Sequence, residues 1–122
     1  MLEFISNYCG RVGRYPVHWH FADYVGPRGG YEDPSMIDSL SIHDCFSRFA
    51  TIHGTHEASI LNTVGYNTFG HGYFLEDGYE SYNYILGNYG AVVKPGIILP
   101  SERSKQVNNK LKFLYRGYYM AR

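Results

Sequence analysis

His53 and Gly54 stand at the end of the apolar run Phe49-Ala50-Thr51-Ile52, with Thr55 directly after them. Phe69-Gly70-His71-Gly72-Tyr73-Phe74 follows, and then Ser81-Tyr82-Asn83-Tyr84. An imidazole and a hydroxyl can hydrogen-bond, two tyrosine rings can stack, and a glycine without Cβ lets a ligand approach the backbone. Together they are suited to holding a flat carboxamide and a ribose, which is a nicotinamide pocket.

Two smaller groupings carry other chemistry. His18 and His20 lie in the alternating stretch Pro16-Val17-His18-Trp19-His20-Phe21. On a strand both point to one face, a spacing a metal site can use, but no third ligand stands at a recognisable spacing in the sequence. A metal-dependent hydrolase built on this pair would need bound metal. His43-Asp44-Cys45 offers a cysteine near a histidine, yet on a helix neighbours so close in sequence do not face each other, so a Cys-His nucleophile is disfavoured.

The elements that would position these groups follow from punctuation and periodicity. Residues 2–9 read as a short strand or one helical turn ending at Gly10. Glycines and prolines recur so often over residues 10–35 that long elements are excluded there, apart from one short strand at 16–21. Ser35 or Asp38 is a candidate cap for a helix within residues 36–46. Phe49–Ile52 is strand-like, Thr55 is a candidate N-cap, and Glu57–Leu61 reads as a helix of about two turns closed near Gly65. Residues 77–87 read as a further helix from Asp77 to Gly87, with Ser81 and Tyr84 three apart on one face. Ala91–Val93 and Gly96–Leu99 read as strand interrupted by Pro95, residues 101–110 as exposed, and Leu111–Met120 as a final strand. No internal repeat or low-complexity tract stands out.

The 122 residues suit a single domain. Eleven basic and eleven acidic side chains balance, so no bulk field points to nucleic acid or to a charged receptor. Aromatic residues make up 17% of the chain and thirteen of them are tyrosines, which suits aromatic-walled clefts. Cys9 and Cys45 give neither a disulfide framework nor a zinc ribbon, and a reducing compartment is the default. No run has the length of a membrane span and the first residues lack the pattern of a signal peptide. The expectation is a soluble intracellular protein, cytoplasmic or nuclear or delivered as an effector.

The run from Phe49 to Tyr84 resembles the catalytic core of the poly(ADP-ribose) polymerase and diphtheria-toxin type of ADP-ribosyltransferase. His53-Gly54-Thr55 is similar to that family's His-Gly-Ser/Thr, Phe69–Phe74 to its second motif with one residue fewer, and Ser81-Tyr82-Asn83-Tyr84 to its Ser-Ala-Asn-Tyr. The likeness covers residues 49–122, leaving 1–48 as an irregular N-terminal segment. It implies an α+β fold, a split β-sheet core with short flanking helices.

By that resemblance Gly54 and Ser81 would hold the nicotinamide carboxamide of NAD, and Tyr73 and Tyr84 would sandwich the ring. His53 would bind a ribose hydroxyl, with Thr55 beside it; His53 and Tyr73 would be the catalytic pair. The implied activity is mono-ADP-ribosyl transfer from NAD to a protein or nucleic-acid acceptor. The alternative is a degenerate module that binds NAD, ADP-ribose or a protein. Gly117 stands where the family's glutamate belongs, so polymer synthesis is not expected; Glu76, Glu80 and Glu102 are the carboxylates that could substitute. The gap between His53 and Tyr73 leaves little room for a cover over NAD, a role residues 10–35 could fill.

Overall fold

Short runs of β-branched, aliphatic and aromatic residues favour strands here, and residues in the left-handed backbone region separate them before any helix can propagate. The computed structural model describes residues 3–5 and 15–96. These form strands β1 (Glu3–Ile5), β2 (Val17–Tyr24), β3 (Met36–Asp38), β4 (Ser41–Cys45) and β5 (Ala50–His56), then β6 (Ser59–Leu61), β7 (Val64–Phe69), β8 (Tyr73–Leu75), β9 (Tyr84–Leu86) and β10 (Tyr89–Lys94). A single 3-10 turn at Pro27–Gly29 is the one helical piece among the described residues.

Every pairing is parallel. The first sheet runs β1-β4-β7-β10, the second β2-β5-β8 and the third β3-β6-β9. Each strand therefore pairs with the one three places on, so the chain visits three sheets in turn and returns one rung along. Ser41 pairs with Val64, Ala50 with Tyr73 and Ser59 with Tyr84, circuits of 23, 23 and 25 residues. This is a parallel β-helix. The circuit from β2 to β5 is longer because residues 25–35 make an excursion that includes the 3-10 turn.

Corner residues stack from rung to rung in the left-handed conformation. Ser39, Asn62 and Gly87 turn the chain from the third sheet to the first, with φ of 56, 49 and 67°. Glu57 and Tyr82, at 63 and 59°, do the same between the second and third. Hydrogen bonds tie the stack together: Ser39 N–H donates to the Leu61 carbonyl (3.1 Å) and Asn62 N–H to that of Leu86 (3.0 Å).

Inside the coil, Leu40, Ile42, Cys45 and Phe49 form one cluster and Ala50, Ile52, Ala58 and Ile60 another, bridged by Val17, Ile37 and Tyr73. Burying these aliphatic and aromatic groups supplies the main driving force for stacking the rungs. Phe49 fits because Gly65 lies beneath it: a Cβ on Gly65 would sit 2.3 Å from the ring.

Two asparagines brace the corners. Asn83 accepts from Ala58 N–H (2.8 Å) and donates to the Thr55 carbonyl (3.1 Å), while Asn88 does the same for Thr63 N–H (2.8 Å) and the Ile60 carbonyl (2.7 Å). Each side chain stands in for a backbone unit of the next rung. Asn83→Ala leaves both backbone groups of the neighbouring rung without this partner and is expected to cost about 1–3 kcal/mol in urea unfolding; a change under about 0.5 kcal/mol would refute that bracing role.

The α+β expectation is corrected throughout. The helix expected within 36–46 is strands β3 and β4, broken at Ser39 by its positive φ. The helix at 57–61 is a corner at Glu57 followed by β6, and the one at 77–87 is a bend followed by β9. Thr55 is no cap but a buried member of β5, which runs on through His56 instead of ending at His53. The absence of repeats is corrected by the stacked rungs, and Val17–Tyr24 lies in the second sheet rather than folding over a pocket as a lid. The strand expected at 16–21 is present from Val17 on, as the start of β2, and the run at 91–93 lies within β10. The expected strand at 111–120, Glu102 and Gly117 lie outside the described residues, as do most of residues 2–14. No helix among the described residues is long and apolar enough to cross a membrane.

Candidate functional site

Strand alternation divides the second sheet into two faces. Val17, Ala50 and Tyr73 pair across β2, β5 and β8 and pack into the coil, as do Trp19 and Ile52. His18, Thr51 and Phe74 alternate with them and so form one rung-to-rung row on the outer face. The next outward row starts with the paired His20 and His53, and Glu76 continues it, its N–H bonded to the Ile52 carbonyl at 3.0 Å.

That second row is ionisable from end to end. His53 Nδ1 lies 3.6 Å from the Glu76 carboxylate and His53 Nε2 lies 3.1 Å from Asp77 Oδ2. The imidazole rings of His20 and His53 are 5.0 Å apart, as are those of His18 and His20. Potential ligand nitrogens of His18, His20 and His53 all fall within 4.8 Å of one another.

An aromatic and cationic wall backs the cluster. Arg48 is 1% exposed and donates to Glu76 at 2.9 Å. Its guanidinium stacks between the rings of Phe74, 4.0 Å away, and Tyr15, 4.5 Å away. Burial lowers the Arg48 pKa, against the opposing pull of Tyr15 and the Glu76 carboxylate. His71, against the Phe74 ring, is also held low, first by burial and then by Arg48.

A bulge in β2 lies directly beside the histidines. The register of β2 against β5 shifts between His20 and Asp23, and Phe21 takes a φ of 49°. Bulges re-aim side chains beside functional sites. Here the bulge swings the exposed Phe21 ring to 4.2 Å from His53 and 4.7 Å from His20. Gly54, at φ 54°, makes this possible, since a Cβ there would lie 2.5 Å from the Phe21 ring. The open approach expected at Gly54 is thus filled by the chain's own phenyl ring.

Glu80 fixes the loop that presents Asp77. Its carboxylate accepts from the N–H groups of Gly54 (3.2 Å), Asp77 (3.0 Å) and Gly78 (2.7 Å). Burial pushes the Glu80 pKa up, but these backbone donors outweigh it and hold the group below the ordinary carboxylate value. A depressed carboxylate contributes stability above its unfolded pKa and loses it as pH falls through the folded one. Amide exchange at Asp77 and Gly78 is therefore expected to stay protected at neutral pH and to lose that protection on acidification below the usual carboxylate range. Protection unchanged down to full protonation would refute the anchoring.

The other residues of the expected nicotinamide pocket are dispersed. Tyr73 packs inside against Phe49, its hydroxyl donating to the Thr63 carbonyl at 2.9 Å and lying 3.2 Å from that of Tyr89. Burial raises its pKa. Thr55 is buried, its hydroxyl accepting from Ala22 N–H (3.1 Å) and donating to the His53 carbonyl (3.0 Å). Ser81 sits at a corner against His56, with 2.8 Å between its Oγ and Nδ1. Tyr84 is exposed on the third sheet, along a groove lined also by Pro27, Arg28, Pro34, Glu57 and Tyr82. Tyr73 and Tyr84 thus do not flank one slot.

What the sequence concealed is the third histidine. His53 meets His18 and His20 through rung pairing, with no spacing that marks it in the chain. In the sequence Glu76 stands only as one of three carboxylates that could replace a missing glutamate and Asp77 only as the start of a helix; the coil is what brings both to His53.

Comparison with known proteins corrects the remaining expectations. A family profile described as "CEMIP beta-helix" matches residues 7–118. The human protein "Cell surface hyaluronidase CEMIP2" is 42% identical over 110 residues, which is 90% of this chain and 8% of that protein. A zebrafish "Cell surface hyaluronidase" is 43% identical over 87% of the chain and 8% of its own length. The human "Cell migration-inducing and hyaluronan-binding protein" is 46% identical over 88% of the chain, again 8% of its own length. The chain thus spans a small part of these relatives. The profile and the relatives overturn the ADP-ribosyltransferase resemblance and, with it, transfer from NAD to a protein or nucleic-acid acceptor. They also overturn the intracellular expectation, since two of the three are named for the cell surface. The short motifs around His53, Tyr73 and Ser81 occur in a different fold, and this chain belongs to the CEMIP beta-helix family.

Proposed function

We propose that the chain is part of a cell-surface protein that binds and cleaves hyaluronan, and that the outer face of the second sheet meets the polysaccharide. The observation that carries this reading is the row of His20, His53 and Glu76, joined by Asp77 and built from three successive rungs. Glycosidic cleavage needs a proton delivered to the leaving oxygen and water activated at the anomeric carbon. Imidazole and carboxylate groups this close, 3.1 Å for His53 and Asp77 and 3.6 Å for His53 and Glu76, can supply both. The exposed Phe21 ring beside them offers an apolar face on which a sugar can stack.

Relatives named as hyaluronidases and as hyaluronan-binding support the choice of polymer. Hyaluronan is a regular polymer with a carboxylate and several hydroxyls on its repeating sugars, and an exposed imidazole such as that of His20 can hydrogen-bond to such groups. The test combines titration of the chain with hyaluronan oligosaccharides and a depolymerisation assay by size-exclusion chromatography. Binding that perturbs Phe21, His20 and His53, with shortening of the polymer, is the expected result. Absence of both binding and shortening would sink the reading.

A further inference from the structure

We propose that His18, His20 and His53 bind one divalent transition-metal ion of the zinc class on the outer face of the second sheet. Two ligands alternate along β2 and the third is contributed by β5, so the set is fixed by strand pairing rather than by a loop. Nitrogens of all three lie within 4.8 Å of one another. Two nitrogens on a tetrahedral zinc ion stand about 3.3 Å apart for Zn–N bonds of about 2.0–2.1 Å, so small side-chain rotations close the triad.

The surroundings match what an imidazole-bound ion requires. A ligating histidine ordinarily donates its other ring N–H to a carboxylate, which fixes the tautomer and raises its basicity. His53 has Asp77 at 3.1 Å on Nε2 and Glu76 at 3.6 Å on Nδ1, so whichever nitrogen turns to the ion, the other keeps a carboxylate neighbour. Tyr15 packs on His18 at 4.8 Å between ring centroids, and Phe21 packs on both His20 and His53. These contacts flank the imidazoles with aromatic rings. Imidazole ligands favour zinc, copper and nickel over calcium and magnesium, which take oxygen ligands.

Three protein ligands leave a position open for water or for a sugar carboxylate. With the ion bound, His53 acts as a ligand and proton handling falls to Glu76 and Asp77. The metal site stands apart from the polysaccharide reading, because metal binding is read without any sugar.

The test is titration of the chelator-treated full chain with Zn²⁺ by calorimetry, and with Co²⁺ by visible absorption. One ion per chain and a tetrahedral cobalt spectrum are expected. His20→Ala, at an exposed position, and His53→Ala are each expected to weaken binding at least about tenfold, and Asp77→Asn about tenfold through the outer shell. His43→Ala, on the first sheet, should bind as the parent does, and circular dichroism of each variant should keep the β signature. No stoichiometric ion, parent-like affinity in both His20→Ala and His53→Ala, or equal loss in His43→Ala would overturn the proposal. Loss of hyaluronan cleavage in a chain that still binds zinc would count against the polysaccharide reading alone.

Discussion

His53→Ala is expected to lower hyaluronan cleavage by about 10²–10⁴-fold, the range for removing a group that handles or positions a proton in the transition state. The imidazole sits between two carboxylates and beside His20, and its loss separates every pair in the row. Binding of the polymer should fall much less, because contacts elsewhere on the face persist; the loss therefore belongs in kcat more than in KM. His43→Ala on the first sheet serves as the comparison and should cleave at the parent rate. Equal loss in both variants would mean the effect is not located on the second sheet. A His53→Ala protein as active as the parent would remove this face from the chemistry.

Glu76→Ala should carry the largest stability cost of any single change at the site. Arg48 is 1% exposed and Glu76 side-chain exposure is 9%, so the ion pair sits in a nearly dry place. Breaking such a pair by removing one partner costs about 3–5 kcal/mol, because the remaining charge keeps its desolvation penalty. The Phe74 and Tyr15 faces soften that penalty through cation–π contact, which places the expected cost near the lower end, about 3 kcal/mol. Glu76→Gln retains an acceptor and should lose less. Urea unfolding of the three proteins orders them, and a Glu76→Ala midpoint equal to the parent's would show that the ion pair contributes nothing net.

The legible part of this fold was local. Alternation in Val17-His18-Trp19-His20 announces a strand and puts both histidines on one face, as β2 does. The runs at 49–52 and 91–93 were readable as short apolar stretches rich in β-branched and aromatic residues. What misled was the reading of Glu57–Leu61 and of residues 77–87 as helices, since caps and apolar residues three apart are compatible with either element when runs are short. Glu57 and Tyr82, residues that rarely take a positive φ, do so here because rung stacking over-determines the corner.

The repeat is faint in the letters because it lies in backbone conformation rather than in residue type. One corner is filled by Ser39, Asn62 and Gly87, and another by Glu57 and Tyr82. No residue identity recurs at either position, so self-similarity in the letters is faint. The same cause produced the false resemblance. Gly54, read as room for a ligand, is required by its own φ and by the Phe21 ring, and the tyrosine expected to cover a nicotinamide is a core residue hydrogen-bonded across the coil. Short motifs report local geometry, and here unrelated geometry satisfied the same letters.

Stacking by rungs also sets where this chain tolerates changes in length. His20, His53 and Glu76 come from three circuits and meet only because β2, β5 and β8 stay in register. Residues could be inserted or lost in the excursion at 26–34 without moving any of them, since that segment lies outside the pairing. One residue deleted between Ala50 and His53 would instead turn the histidine into the coil and bring a core side chain to the surface.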